Sequence, residues 1–349
     1  MDISMNTRCD RIILFRYGGA ARVENSDMFL RQKKSKDTCK TTQNSSRCIP
    51  SGLQTLFRLE ASFADLILCS RLTFFTNKIN YYVSNPLTRQ WIALPPAAFE
   101  GFAQYVSIGF LCVEDTAHHN KFMVVRLCTG HFNTACKPCS QFKAQVFSSE
   151  NWLWRTLVVS SPLTLKHYRG RTLLVAYRGM LHWLNRDCIV VYDPLNTPER
   201  FSRVIGLPNQ IFPLPIYRNN CFGVSQGCLR VAEFSDEWTI DPILDVWELE
   251  DYDSGRWILV HKVHLRNLIH NGVLESLESE LRCFNVLSLH PENEDVIYLQ
   301  LFNGVVLLNM KSRIIERFYP INERVMCCWR DAFHLVDQPW PTPVSLLRH

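Results

Sequence analysis

Five short stretches of this chain resemble one another and recur at intervals of 45 to 63 residues. Each stretch is a β-type run that meets a polar bend, and four of the five continue to a Trp or Phe. They begin at Val83, Val146, Val191, Val246 and Leu307. Repetition at this period is typical of supersecondary units that stack because none can bury its apolar face alone. The chain is therefore predicted to be built of like modules.

A second β-rich run precedes each repeat, so that five hairpins are visible. Asp65–Cys69 precedes Tyr81–Ser84 in the first hairpin, for example, and Asp295–Leu301 precedes Gly304–Leu308 in the last. Paired β-rich runs separated by polar residues indicate hairpins, and repeated four-stranded units describe blades around a central axis. We expect an all-β propeller with six blades, although seven would also fit the pattern. The sixth blade would join the chain ends, using Leu53–Phe57, Val325–Trp329 and Phe333–Val336.

The bends carry Asn85-Pro86 and Asp193-Pro194, which suit a turn because Asx side chains bond nearby backbone and Pro fixes φ. These acids and amides could also serve a metal or catalysis, but their recurrence favours a structural role. The Trp residues after the bends are predicted to pack between units. The predicted structural motif comprises Asn85, Pro86, Arg89, Trp91, Pro95, Trp154, Trp183, Asp193, Pro194, Trp247 and Trp257.

The net charge of +5 belongs to the first 50 residues, which hold ten Lys or Arg and five Asp or Glu. The polar, cationic stretch 31–46 lacks any period and predicts a poorly ordered segment. We therefore divide the chain into an irregular N-terminal segment, residues 1–50, and a propeller domain, residues 51–349. The body carries equal numbers of positive and negative residues, so no nucleic-acid partner is expected.

Fourteen cysteines are present, but neither a secretory signal nor an apolar run of membrane-spanning length is visible. We expect a cytoplasmic or nuclear protein with reduced thiols and no membrane association. Cys136 and Cys139 form a CxxC pair, and with His131 nearby they are weak candidates for a zinc site. The pair stands alone, and the stretch falls in a predicted hairpin loop, so no metal and no cofactor are expected.

Sequence motifs of enzymes are missing from the chain. It contains no Gly-x-Ser-x-Gly elbow, no phosphate-binding loop of the Gly-x-x-x-x-Gly-Lys type and no Gly-x-Gly-x-x-Gly fingerprint. We expect no catalytic residues and no enzymatic activity. An enzyme on a propeller scaffold, or a paralogue that has lost its function, stays an alternative, because a propeller does not by itself exclude catalysis.

Tyr82–Pro96 resembles the opening motif of the plant F-box-associated domain, and further similarities follow in the order of that family. They are Arg178–Trp183 with Tyr192–Pro194, Asp245–Tyr252 with Trp257 and His261–Val263, and Leu287–Pro291 with Val296–Tyr298. The resemblance covers roughly residues 55–335.

The resemblance implies a Kelch-like β-propeller that recruits a protein substrate to an SCF-type cullin ubiquitin ligase. In that family a helical F-box precedes the propeller and docks on a Skp-type adaptor. Residues 1–50 lack its Leu-Pro pairs and its helical period, so we expect no F-box there. The adaptor and the cullin are then expected as partners only if a divergent F-box exists.

Overall fold

In a computed structural model, the chain folds into antiparallel β-sheets arranged in a ring. The structure describes these residues: 11–16, 29–31, 57–73, 78–85, 88–97, 106–114, 120–128, 139–165, 174–185, 188–208, 220–234, 242–265, 268, 284–301, 304–320 and 329–335.

Two strands precede the blades: β1 (Arg11–Arg16) and β2 (Phe29–Arg31). The first blade contains β3 (Phe57–Phe63), β4 (Leu66–Thr73), β5 (Lys78–Asn85) and β6 (Gln90–Ala93). The second contains β7 (Val106–Glu114), β8 (Asn120–Cys128), β9 (Cys139–Ser148) and β10 (Leu153–Leu165). The third contains β11 (Leu174–Tyr177), β12 (Met180–Leu184), β13 (Cys188–Tyr192) and β14 (Phe201–Gly206).

The fourth blade contains β15 (Cys221–Ser225), β16 (Cys228–Phe234), β17 (Ile243–Asp251) and β18 (Arg256–His264). The fifth contains β19 (Phe284–Leu289), β20 (Val296–Leu301), β21 (Gly304–Asn309) and β22 (Ile314–Pro320). The last strand is β23 (Trp329–Leu335). Every pairing within the blades is antiparallel, as in a meander. All five predicted hairpins are confirmed, and each forms the second and third strands of its blade.

The first strand of each blade contacts the first strand of the next, from β3 through β7, β11 and β15 to β19. Strand β23 contacts both β19 and β3, so the series of inner strands closes on itself. The all-β propeller is therefore confirmed. The predicted number of six blades, or seven, is wrong: the described residues form five four-stranded blades, and the sheet that closes the ring has three strands among them, in the order β2–β1–β23.

The composition of the closing sheet also corrects the sequence prediction. Strand β23 contains much of the predicted C-terminal segment, but it pairs with Arg11–Arg16 and not with Leu53–Phe57. Phe57 instead begins β3, because the two-residue turn Ala64-Asp65 folds that strand back onto β4 of its own blade. The predicted division of the chain at residue 50 stays a prediction.

Tight turns explain several of the strand pairs. In the third and fourth blades, Arg178-Gly179 and Gln226-Gly227 join the first strand to the second, and both residues of each pair have positive φ. Such two-residue turns match the twist of the flanking strands, and glycine adopts the second position without a Cβ clash. The sequence therefore fixes the register of these hairpins locally.

The bend after the third strand repeats in all five blades. The side-chain oxygen of an Asx or Ser residue accepts a backbone N–H two or three residues later, as for Asn85, Ser148, Asp193, Asp251 and Asn309. In four of the bends the residue four positions on has positive φ: Arg89, Trp152, Gly255 and Arg313. The repeated motif is thus an Asx-type turn closed by one left-handed residue.

The apolar core lies between adjacent blades. Each of the four buried clusters combines side chains from two neighbouring blades. Strand β13 shows the cause, since Val190 packs towards the second blade and Val191 towards the fourth. Alternate residues of a strand point to opposite faces, so a strand with apolar residues throughout is buried on both sides. No single blade could bury these faces alone.

Two tryptophans lock neighbouring outer strands together. The indole N–H of Trp154 on β10 donates to the carbonyl of Pro95 at 2.8 Å, and that of Trp257 on β18 donates to the carbonyl of Gly206 at 2.9 Å. Both bonds run from one blade to the preceding blade. A buried or half-buried indole satisfies its polar N–H in this way while its ring fills the gap.

The other predicted wedges do not occupy equivalent places. Trp91 lies on the outer strand of the first blade and is 44% exposed, in edge contact with Tyr82. Trp183 and Trp247 are buried, but they lie on the second strand of one blade and the third strand of another. The sequence could not separate these cases, because an aromatic residue follows apolar strand residues in each. Within the residues described, no helix is long and apolar enough to cross a membrane.

Candidate functional site

Charged and aromatic side chains meet at the junction of the third and fourth blades. We call this group the Tyr252 cluster; its members are Tyr177, Arg178, His182, Arg203 and Tyr252. It lies at the end of the ring that carries the turns between first and second strands and between third and fourth strands. Tyr252 follows β17 in the Asx bend of the fourth blade, and the other four residues belong to the third blade.

Two guanidinium groups lie over the ring of Tyr252. The Cζ atom of Arg178 is 4.8 Å from the ring centroid of Tyr252 and 5.3 Å from that of Tyr177, and the Cζ atom of Arg203 is 5.0 Å from the centroid of Tyr252. These distances are those of cation–π contacts, which planar guanidinium groups favour. Tyr252 therefore holds two positive charges close to one another.

A buried histidine lies beneath the cluster. The Nε2 atom of His182 shares a hydrogen bond of 2.8 Å with the hydroxyl of Tyr252, and the residue is fully buried. Burial lowers the pKa of His182 to about 4; a hydrogen bond with the backbone of Met180 opposes this shift and the charge of Arg178 adds to it. Burial likewise raises the pKa of Tyr252, against the two arginines. Near neutral pH both groups are uncharged and fix the ring in place.

The low pKa of His182 predicts that the protein is less stable in acid. Because the folded-state pKa lies below the ordinary value of 6.5, the unfolded state binds more protons between these values. The contribution of His182 is complete above pH 6.5 and is lost as the pH falls towards 4, by up to about 1.4 kcal/mol per pH unit. Urea unfolding at pH 7.5 and 5.0 measures this loss. A His182→Gln variant with the same loss would contradict the prediction.

The two arginines differ in their acidic partners. Arg203 donates to the backbone carbonyl of Asp253, and its Nη1 lies 3.5 Å from the carboxylate of Asp253, whose side chain is 94% exposed. Arg178 is exposed, and within the part of the chain that the structure describes it forms no ion pair with a carboxylate. The cluster therefore carries an excess of positive charge.

A cleft continues from Arg203 along the outer strand of the third blade. Its volume is about 420 Å³, and it runs between β14 and the bend that joins β17 to β18. Its lining includes Arg203, the segment Gly206–Pro208, Gly255 and Trp257. The cleft is open to solvent, its exposed lining is mostly polar, and Arg203 supplies its charge.

The predicted metal candidates are not brought together in the described structure. His131 and Cys136 lie outside the described residues, and Cys139 begins β9 without a described side chain. Among the residues described, no group of three His, Cys, Asp or Glu side chains could hold a metal ion. Burial raises the pKa of Cys69 to about 12 and raises that of Cys112 as well, so neither thiol is an activated nucleophile.

The acidic and amide residues of the bends use their polar atoms locally. Asn85 donates to the carboxylate of Asp65 at 2.7 Å and accepts from the backbone of Thr88, while Asp193 accepts from Leu195 and Asn196. Of the remaining motif residues, Pro86 lies outside the described residues, Pro194 follows Asp193 in its turn, and the carbonyl of Pro95 accepts from Trp154. These contacts agree with a structural role.

Sequence reasoning missed the Tyr252 cluster. Arg178 and Tyr252 each fell within a resembling motif, but 74 residues separate them, and only the docking of two blades brings them together. One local signal was available. Arg178 has a φ of +49° in a turn where Gly, Asn or Asp is preferred, so an arginine at this place needs an explanation.

The model of the F-box protein At3g26010-like β-propeller family matches residues 34–330. The chain belongs to this family. It is 29% identical over 214 residues to the Arabidopsis thaliana F-box protein At5g49610, and this match covers 60% of this chain and 56% of that protein. It is also 27% identical over 323 residues to the Arabidopsis thaliana F-box protein At5g07610, covering 86% and 73%.

The matched part of this chain spans little more than half of the length of two of these relatives: 56% of At5g49610 and 57% of the putative F-box/kelch-repeat protein At1g15680 from Arabidopsis thaliana. Among solved structures, a chain from a study of two prolyl endopeptidases has a TM-score of 0.42 and 11% identity, covering 91% of this chain and 49% of that chain. A likeness of this degree carries no argument about function.

Proposed function

We propose that this propeller is a non-catalytic protein-binding module and the substrate-recognition part of an SCF-type cullin ubiquitin ligase. The observation that carries the proposal is membership of a family of F-box protein propellers. A Skp-type adaptor and a cullin would be its ligase partners if the chain carries a divergent F-box, and the cytoplasm or nucleus would be its place of action. We further propose that the propeller is of the Kelch-like type, to which the repeated four-stranded antiparallel blades correspond.

Strand order supports a recognition surface at one end of the ring. In each blade the first-to-second and third-to-fourth connections share one end, while the second-to-third and inter-blade connections share the other. The inter-blade connections include residues 97–105, 209–220 and 266–280, of which the structure describes only a few positions near their ends. Long connections on a rigid scaffold commonly carry recognition.

The proposal predicts that the full-length protein captures a Skp-type adaptor and a cullin from plant extract. Affinity purification followed by mass spectrometry measures this, with an intact F-box protein as the positive control. A second sample, in which 269–280 is replaced by a short Gly-Ser linker so that the buried Leu268 is kept, should keep the adaptor and lose other captured proteins. Absence of the adaptor, when the positive control captures it, would remove the ligase role.

A further inference from the structure

We propose that Arg178, Arg203 and Tyr252 form a binding site for one anionic side chain, a carboxylate or a phosphate, on an extended segment of a partner protein. We call these three residues the arginine–tyrosine platform. The inference rests on the proposed function and specifies the chemistry of the partner. It also places a second contact surface at the short-turn end of the ring, away from the long connections.

The charge of the platform favours an anion. The guanidinium groups of Arg178 and Arg203 both contact the ring of Tyr252, with Cζ atoms 4.8 Å and 5.0 Å from its centroid, and their mutual repulsion is only partly offset. The carboxylate of Asp253 approaches Arg203 at 3.5 Å from a largely solvent-exposed position, where screening weakens it. Within the described structure no carboxylate pairs with Arg178. An anion held by both arginines would relieve the repulsion and form charge-assisted hydrogen bonds.

The platform is already ordered before any partner arrives. The two-residue turn Arg178-Gly179 sets the backbone of Arg178, and two tyrosine rings hold its guanidinium plane. Tyr252 is in turn fixed by its hydrogen bond to the buried His182. A stacked guanidinium keeps N–H groups at its edge free to donate to oxygen atoms. Little side-chain entropy would therefore be lost on binding.

The surroundings favour a protein segment over a nucleic acid. Glu250, Asp251 and Asp253 belong to the same bend as Tyr252, so a continuous chain of phosphates would meet carboxylates next to the arginines. A single anionic group meets fewer carboxylates than a chain of phosphates, and the one beside Arg203, from Asp253, is 94% exposed. The adjoining open cleft of about 420 Å³, lined in part by Leu207, Pro208 and Trp257, gives room for the residue next to that group. An anionic residue on an extended segment is thus the chemistry that fits.

Fluorescence anisotropy on the full chain tests this proposal. The probes are three fluorescein-labelled peptides in which leucine alternates with glutamate, with phosphoserine or with glutamine, together with a single-stranded RNA of twelve nucleotides. We expect the anionic peptides to bind at least about tenfold more tightly than the glutamine peptide, and more weakly as salt rises. Tighter binding of the phosphoserine peptide would identify phosphate as the preferred group, and equal binding would identify either anion.

The variants Arg178→Gln and Arg203→Gln should each weaken the anionic peptides about tenfold, since each removes a charged donor. Arg256→Gln is the matched control: it removes an exposed arginine of the same bend, paired with Glu250 at 3.1 Å, and should change nothing. Arg178→Gly should also weaken binding. Because glycine adopts positive φ without strain, this variant keeps the turn, and the loss of binding could not come from a disrupted backbone.

Equal binding of the glutamine peptide, no peptide binding, preference for the RNA, or unchanged binding by Arg178→Gln and Arg203→Gln would each overturn the proposal. These results would leave adaptor capture unaffected. Failure of the platform and failure of the ligase role are therefore distinguishable.

Discussion

Replacement of Arg230 by Met is expected to lower the free energy of unfolding by about 3–5 kcal/mol, because it leaves a carboxylate uncompensated in a buried place. The side chain of Arg230 is 2% exposed and pairs with Glu248 in the same blade. It also donates to the backbone carbonyl of Glu294 at 2.9 Å and to its carboxylate at 3.0 Å. One arginine thus joins the fourth blade to the fifth.

A matched comparison separates burial from charge. Arg256→Met removes an exposed ion pair with Glu250 and should cost less than about 1 kcal/mol. The double variant Arg230→Met with Glu248→Leu should recover much of the loss, because no uncompensated carboxylate then remains at Glu248. Urea unfolding measures all four proteins. If Arg230→Met were no more costly than Arg256→Met, the buried pair would not join the blades as described.

The second and third strands of each blade could be predicted from the sequence, because the apolar pattern that marks them lies within a few consecutive residues. Runs such as Cys188–Tyr192 are apolar at every position, which only a strand buried on both faces requires, and an Asx bend follows directly. The five predicted hairpins therefore matched strand pairs of the structure. The inner strand Leu174–Tyr177, by contrast, has only four residues, all half-buried, and so lacks a distinct apolar pattern.

Closure and the candidate site depended on contacts between distant parts of the chain. Arg11–Arg16 offers only four apolar residues between two arginines, and its partner Trp329–Leu335 lies at the other end of the sequence. The register between two such distant segments cannot be read from the local sequence of either one. The same is true of Arg178 and Tyr252, whose meeting results from the packing of two blades. Sequence periodicity predicts the modules, whereas the junctions between modules depend on geometry.

Truncation of Phe147 to Ala is the second large effect that we expect, at about 3–5 kcal/mol in the free energy of unfolding. Phe147 is fully buried on β9, in the cluster shared by the first and second blades. Its ring centroid lies 5.2 Å from that of Trp152 and 5.4 Å from that of Trp154, and the indole of Trp154 binds the preceding blade. The cavity would therefore loosen a junction and not one blade alone.

Leu153→Ala is the control for Phe147→Ala, because Leu153 lies on the adjacent strand of the same blade and is 62% exposed. It should change the free energy of unfolding by less than about 0.5 kcal/mol. A fluorescence measurement of tryptophan exposure adds a readout of the junction: Phe147→Ala should increase quenching by acrylamide and Leu153→Ala should not. A cost below about 1 kcal/mol for Phe147→Ala would show that this core relaxes around the cavity. The junctions would then be more adaptable than their close aromatic contacts indicate, and the rigid presentation of loops on which the proposed substrate recognition depends would lose its physical basis.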